Sequence, residues 1–130
     1  MAWYIDTSAL VKLVSVEAET AALHEWVVDN QPELVASDLL RTELRRAVRR
    51  SGTAHPIDVD DGLAAVDLLP ATAAVFDAAA ELAPTDLRTL DSIHLATALG
   101  VLDDCDGIIT YDDRLAHAAR RHGLTVIAPR

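Results

Sequence analysis

Apolar residues along this chain fall into two alternating rhythms. Short continuous runs at residues 3–5, 33–36, 66–69, 107–110 and 124–127 read as buried strands. Between them the apolar positions are spaced for one face of a helix. Residues 8–13 suggest a short helix. Residues 17–29 carry Leu23, Trp26 and Val27 at helical spacing and end before Pro32. Ser37 reads as the N-cap of a helix that runs to Arg50 and stops at Gly52. Further helices are expected at 57–65 and at 72–82, the latter followed by a turn at Pro84. The clearest helix covers 89–102, and a last one at 112–122 is closed by Gly123. This alternation predicts an α/β domain with a mostly parallel sheet.

Composition narrows the picture. A chain of 130 residues buries roughly two thirds of its unfolded surface, enough for one self-sufficient domain over 1–130. With 51% hydrophobic and 25% charged residues it matches a soluble globular protein and not a disordered one. The single cysteine, Cys105, excludes an internal disulfide and a cysteine-based zinc site, and makes the reducing cytoplasm the default compartment. No run of about 18 apolar residues is present to span a membrane. The start of the chain lacks a basic stretch and meets an acid at Asp6, so it does not read as a signal peptide. There are 21 acids against 11 bases, a net charge of −10, and Lys12 is the only lysine. Such a chain repels a polyanion unless a cation neutralises some acids or the bases cluster.

Four acids sit where ordinary surface acids do not. Asp6 directly follows the first strand, and Asp112 follows the strand ending at Thr110. In a parallel sheet both lie at the carboxyl edge, where ligands bind. Glu43 borders the apolar stripe of its helix, roughly 60° from Leu40, whereas Arg41, Arg45 and Arg49 lie on the opposite side. Asp91 opens its helix in line with Leu95, Ala98 and Leu102, so it points inward. The helix dipole offsets only about 1 kcal/mol of the cost of burying it. Each acid alone has an ordinary explanation as a cap, a dipole partner or an ion pair. Four of them at one edge repel by several kcal/mol unless compensated. No base adjoins Asp6, Asp91 or Asp112 on the inward faces except His94. A hard divalent cation, Mg²⁺ or Mn²⁺, is the economical remedy, and it keeps open positions for phosphate. Such a site without a Gly-rich phosphate loop suggests phosphodiester hydrolysis. Ser8 and Thr110, and less directly Thr7, are candidates to orient a carboxylate or hold a water; His94 reads as a satisfied structural group.

These segments also resemble a known family. Tyr-Ile-Asp6-Thr-Ser-Ala-Leu-Val-Lys12, Leu-Leu-Arg-Thr-Glu43-Leu-Arg-Arg-Ala47, Leu-Arg-Thr-Leu-Asp91-Ser-Ile-His-Leu-Ala-Thr-Ala98 and Ile-Ile-Thr110-Tyr-Asp112 look like the four acidic motifs of PIN-domain ribonucleases. More narrowly they resemble the VapC toxins of type II toxin–antitoxin pairs. The likeness spans the chain, and the Asp91 segment is its most specific part. It implies a three-layer α/β/α fold with a short central sheet and Mg²⁺- or Mn²⁺-dependent endoribonuclease activity. It also implies a homodimer and inhibition by a VapB-type antitoxin. By that match Asp6, Glu43, Asp91 and Asp112 form the acidic quartet. Asp113 competes with Asp112 for the fourth place, and Asp112 is favoured as nearer the strand end.

RNA binding must overcome the charge of −10. Arg41, Arg45, Arg46, Arg49 and Arg50 share the helix of Glu43, while Arg88 and Arg114 flank the proposed crevice. Of these, Arg46, Arg50, Arg88 and Arg114 are the candidates to track an RNA backbone. Only five aromatics exist, and Trp3 and Phe76 read as core, so base stacking is limited. Residues 13–28 expose apolar area on which an antitoxin segment could lie. A phosphoacceptor receiver domain is the main rival from another class. It needs a lysine near the last strand and an acid after a central strand, where this chain has Ala36-Ser37. A haloacid-dehalogenase-like phosphatase needs an acid where Ser8 stands. A PIN-fold binding module with weak or lost catalysis is the remaining alternative, and the intact quartet argues against it.

Overall fold

The computed structural model describes residues 1–52 and 56–130. Strands β1 (Ala2–Ile5), β2 (Glu33–Ser37), β3 (Val66–Leu69), β4 (Gly107–Ile109) and β5 (Val126–Ile127) form an all-parallel sheet in the order β3-β2-β1-β4-β5. Parallel neighbours need crossovers. These are α1 (Thr7–Val14), α2 (Thr20–Asn30), α3 (Leu40–Ser51), α4 (Pro56–Ala64), α5 (Ala73–Ala80), α6 (Thr89–Gly100) and α7 (Asp113–Arg121). Helices α1 to α4 pack together, and α6 packs on both α5 and α7. Right-handed crossovers explain the two groups. The chain steps outward from β1 to β3 in one direction, then from β4 to β5 in the other.

Alternation along β1 feeds both layers. Trp3 meets the edge of Trp26 on α2, with ring centroids 5.5 Å apart, and Tyr4 points the other way, toward His94 on α6. Tyr4, Ile5, Leu10, Leu23, Leu40, Leu44, Leu95, Ile108, Ile109 and Leu115 are fully buried between the layers. Burial of this kind is the main stabilising term, about 25 cal/mol per Å² of apolar surface. Gly107 is required by close approach, since a Cβ there would stand 2.3 Å from the Thr125 carbonyl oxygen and 2.7 Å from the Trp3 ring.

Several sequence expectations need correction. Ser37 is not a helix cap. It continues β2, opposite Leu69 of β3, and α3 begins only at Leu40 without a side-chain cap. The Ser37 Oγ accepts from the Leu39 N–H at 3.2 Å in the turn before α3, while its own N–H donates to Tyr4 Oη. Helix α2 starts at Thr20, not at 17, because Glu17 and Glu19 fold back onto Lys12, each at 2.8 Å. Leu102 lies beyond the end of α6 and is exposed, so it does not share a buried face with Asp91. Phe76 is 46% exposed on α5 and is not core.

Candidate active site

The strand order reverses between β1 and β4, which opens a crevice at their carboxyl ends. Asp6 stands there as the N-cap of α1. Its Oδ1 accepts from the Ala9 backbone N–H (3.0 Å) and from Ser8 Oγ (2.7 Å). Its Oδ2 accepts from Thr110 Oγ1 at 2.5 Å. Both hydroxyls are themselves anchored. Ser8 Oγ accepts from the Tyr111 N–H at 2.9 Å, and Thr110 Oγ1 from the Asp112 N–H at 3.1 Å. The ends of β1 and β4 are thus tied together through the Asp6 carboxylate. Burial pushes the Asp6 pKa up to about 6, although the Thr110 and Ser8 hydrogen bonds oppose the rise.

Glu43 reaches the same place from α3. Its Oε1 accepts from Thr7 Oγ1 at 3.1 Å and from His94 Nε2 at 2.6 Å; neither Arg46 nor Arg50 pairs with it. On the other side of its ring, His94 Nδ1 lies 2.6 Å from Tyr4 Oη, which accepts from the Ser37 backbone N–H at 3.0 Å. A carboxylate oxygen only accepts, so His94 carries a hydrogen on Nε2, facing Glu43. Burial raises the Tyr4 pKa far above the usual phenol range, so this hydroxyl keeps its proton.

The last two acids come from helix starts. Asp91 lies in the first turn of α6. Asp112 caps α7, its Oδ1 accepting from the Leu115 N–H at 2.9 Å. Arg88 spans the pair, with Nε 3.6 Å from Asp91 Oδ2 and Nη2 3.5 Å from Asp112 Oδ2. The expectation that His94 alone adjoins the acids is therefore corrected. Burial raises the Asp91 pKa, the Asp112 charge adds to the rise, and Arg88 opposes it. Asp113, next in sequence, is exposed in the first turn of α7. All four acids, Asp6, Glu43, Asp91 and Asp112, line one cavity of about 440 Å³, with Ser8, Arg50, Arg88 and His94 also in its wall.

The same residues fall inside a wider match. The family profile described as PIN domain matches residues 3–121. Ribonuclease VapC46 of Mycobacterium tuberculosis (strain ATCC 25618 / H37Rv) is 43% identical over 126 residues, covering 97% of this chain and 96% of that protein. The chain belongs to the PIN-domain family, in its VapC group. Ribonuclease VapC35 of Mycobacterium tuberculosis (strain CDC 1551 / Oshkosh) is 40% identical over 130 residues, with 97% and 96% of the two chains covered. The crystal structure of Mycobacterium tuberculosis VapC20, a Sarcin-Ricin loop cleaving toxin, superposes with a TM-score of 0.76 over 98% of this chain and 100% of that one. At 15% identity that likeness speaks for a shared PIN fold.

In this PIN domain the arginines divide. Arg50 and Arg88 line the acidic cavity. Arg46 is exposed on α3 outside it, and Arg114 lines a neighbouring hollow with Asp113 and His117. Among the described residues no three acidic, histidine or cysteine side chains close into a ready-made metal cage. The donor chemistry nonetheless fits a hard cation. Carboxylate oxygens from four elements share one open polar cavity, and no thiolate lines it. Sequence reasoning missed Tyr4. The available signal was its position two residues before Asp6, on the same face of an alternating strand.

Proposed function

We propose that this VapC-group PIN domain is a Mg²⁺- or Mn²⁺-dependent endoribonuclease, the toxin of a type II toxin–antitoxin pair. The observation that carries the reading is the meeting of Asp6, Glu43, Asp91 and Asp112, remote in sequence, in one cavity. Asp6, Glu43, Asp91 and Asp112 would hold the metal, which when bound supplies Lewis-acid polarisation of the scissile phosphate. Asp6 contributes a carboxylate held by three donors. Arg50 and Arg88 are placed to grip the flanking phosphates, and Arg46 and Arg114 extend the track outside the cavity. The exposed Arg41, Arg45 and Arg49 continue the basic face of α3.

A VapB-type antitoxin is the partner this reading calls for. Val16 and Val28 are exposed, and a hollow lined by Leu13, Val14, Val27 and Leu34 is edged by Asp58 and Asp61. That combination suits an apolar segment carrying basic residues. Exposed Phe76 on the alanine-rich α5 supports self-association as a homodimer. Among the described residues no helix is long and apolar enough to cross a membrane, and the free thiol of Cys105 suits a reducing cytoplasm.

Adding Mg²⁺ or Mn²⁺ at about a hundred times its Kd is expected to stabilise the protein by roughly 2.7 kcal/mol, read as a rise in Tm. Asp6→Asn and Asp91→Asn should abolish both that rise and RNA cleavage. Wild-type cleavage by either variant would remove that residue from the assignment. Metal and RNA binding without any cut ends would point to a binding module instead.

A further inference from the structure

We propose that Tyr4 and His94 form a buried strut that positions Glu43 to hold the metal; this inference rests on the metal-dependent reading above. The four acids are not equally constrained. Asp6 is fixed by three donors, and Asp112 by capping α7. Glu43 has a longer side chain with one more rotor, and it projects from the first turn of α3 without capping it. Arg46 and Arg50, one and two turns onward, compete for its charge. An acid so placed ordinarily folds along its own helix and pairs at i+3 or i+4. Here it does not.

What holds it is a relay across four elements. The Ser37 N–H on β2 donates to Tyr4 Oη on β1, at 3.0 Å. Tyr4 is paired with His94 Nδ1 on α6, and His94 Nε2 with Glu43 Oε1 on α3, both at 2.6 Å. The tyrosine is fully buried and the histidine 2% exposed, so the Tyr4–His94 link is sealed from water, and only the Glu43 end meets the cavity. The relay begins at backbone, which cannot rotate away. Thr7 donates to the same Oε1 at 3.1 Å. Among the described residues no hydrogen bond occupies Oε2, which leaves that oxygen to a cation. By donating through Nε2 to Oε1, His94 orients the carboxylate and leaves its other oxygen to the cation. This is the division of labour between a metal ligand and the group that aims it.

The test measures Mn²⁺ binding directly, by the paramagnetic resonance signal of free Mn²⁺, on full-length protein checked for folding by circular dichroism. His94→Leu removes the donor at similar volume and should weaken Mn²⁺ binding tenfold or more. His94→Gln, whose amide reaches toward the place of Nε2, should restore most of that affinity. RNA cleavage by His94→Leu should fall at limiting Mn²⁺ and recover at saturating Mn²⁺. Because the strut acts through Glu43, His94→Leu should cost no further affinity in a Glu43→Gln background. Wild-type affinity in folded His94→Leu, equal losses in the Leu and Gln variants, or additive losses with Glu43→Gln would each overturn the strut. Should His94→Leu fail to fold, Tyr4→Phe takes its place: a several-fold loss supports the strut, and unchanged affinity overturns it. Wild-type protein that binds no Mn²⁺ at all would sink the metal-dependent reading first, an outcome distinct from any of these.

Discussion

At the scale of single residues, Asp6 holds the sharpest tension. Its carboxylate is almost fully enclosed, and its pKa stands near 6 where an unfolded chain would have about 3.8. A folded state with the higher pKa binds protons more tightly than the unfolded one. It is therefore favoured at low pH and loses that advantage as pH rises through about 4 to 6. Asp6→Asn cannot ionise and escapes the loss. In metal-free protein the Tm of Asp6→Asn relative to wild type should climb across that interval and level off above it. The full excursion is at most about 3 kcal/mol. A flat difference from pH 4 to 7 would mean that the carboxylate is hydrated. Asp6, Glu43 and Asp91 were legible as candidates because acids at strand ends or on apolar borders are conspicuous. Asp112 was harder to separate from Asp113, since one residue of helix phase decides which acid faces the cavity. Tyr4 was hidden because a tyrosine in a strand reads as core, and only the distances to His94 and Ser37 reveal its polar role.

At the scale of elements, the strands read well because they are short apolar runs between turn residues, and the helices because their spacing differs from that of the strands. The ends read poorly. Ser37 has good capping chemistry and its Oγ does accept from the Leu39 N–H, but its own N–H is held by Tyr4 on β1, and α3 starts three residues later. The acids at 17 and 19 look helical, yet Lys12 draws them back. Both errors come from a partner outside the segment's own pattern, Tyr4 for Ser37 and Lys12 for the two acids. Gly107 is the opposite case, a local residue whose need is set at long range. Gly107→Ala forces a methyl group against the Thr125 carbonyl and the Trp3 ring, so β4 must shift away from both. The expected cost is about 1–3 kcal/mol in denaturant melts. Because Thr110 and Asp112 follow β4, metal binding should weaken with it. Unaltered stability would show that the β4–β5 edge is looser than its geometry.

At the scale of the molecule, the charge of −10 and an RNA substrate look incompatible until the charges are located. Acids gather in the cavity, where a cation would offset them, while the arginines of α3 present a basic face beside it. Arg50 belongs to both regions. Arg50→Ala should weaken RNA binding across sequences and reduce the slope of log affinity against log salt by about one. Binding that is indifferent to salt would remove the electrostatic track. The fold class was legible from strand–helix alternation, and so was the edge at which acids should meet. The order β3-β2-β1-β4-β5 was not, since nothing local says that the first strand lies beside the fourth.

That adjacency governs when the protein acquires its chemistry during synthesis. Asp6 leaves the ribosome well before the hydroxyl that holds its Oδ2, which is more than a hundred positions later, on Thr110. Until that segment emerges and docks, β1 has no neighbour on one flank and the acid cavity lacks a wall. A nascent or prematurely terminated chain that stops short of β4 is therefore expected to be inert toward RNA, because the proposed cutting centre is complete only once both β1 and β4 have been made.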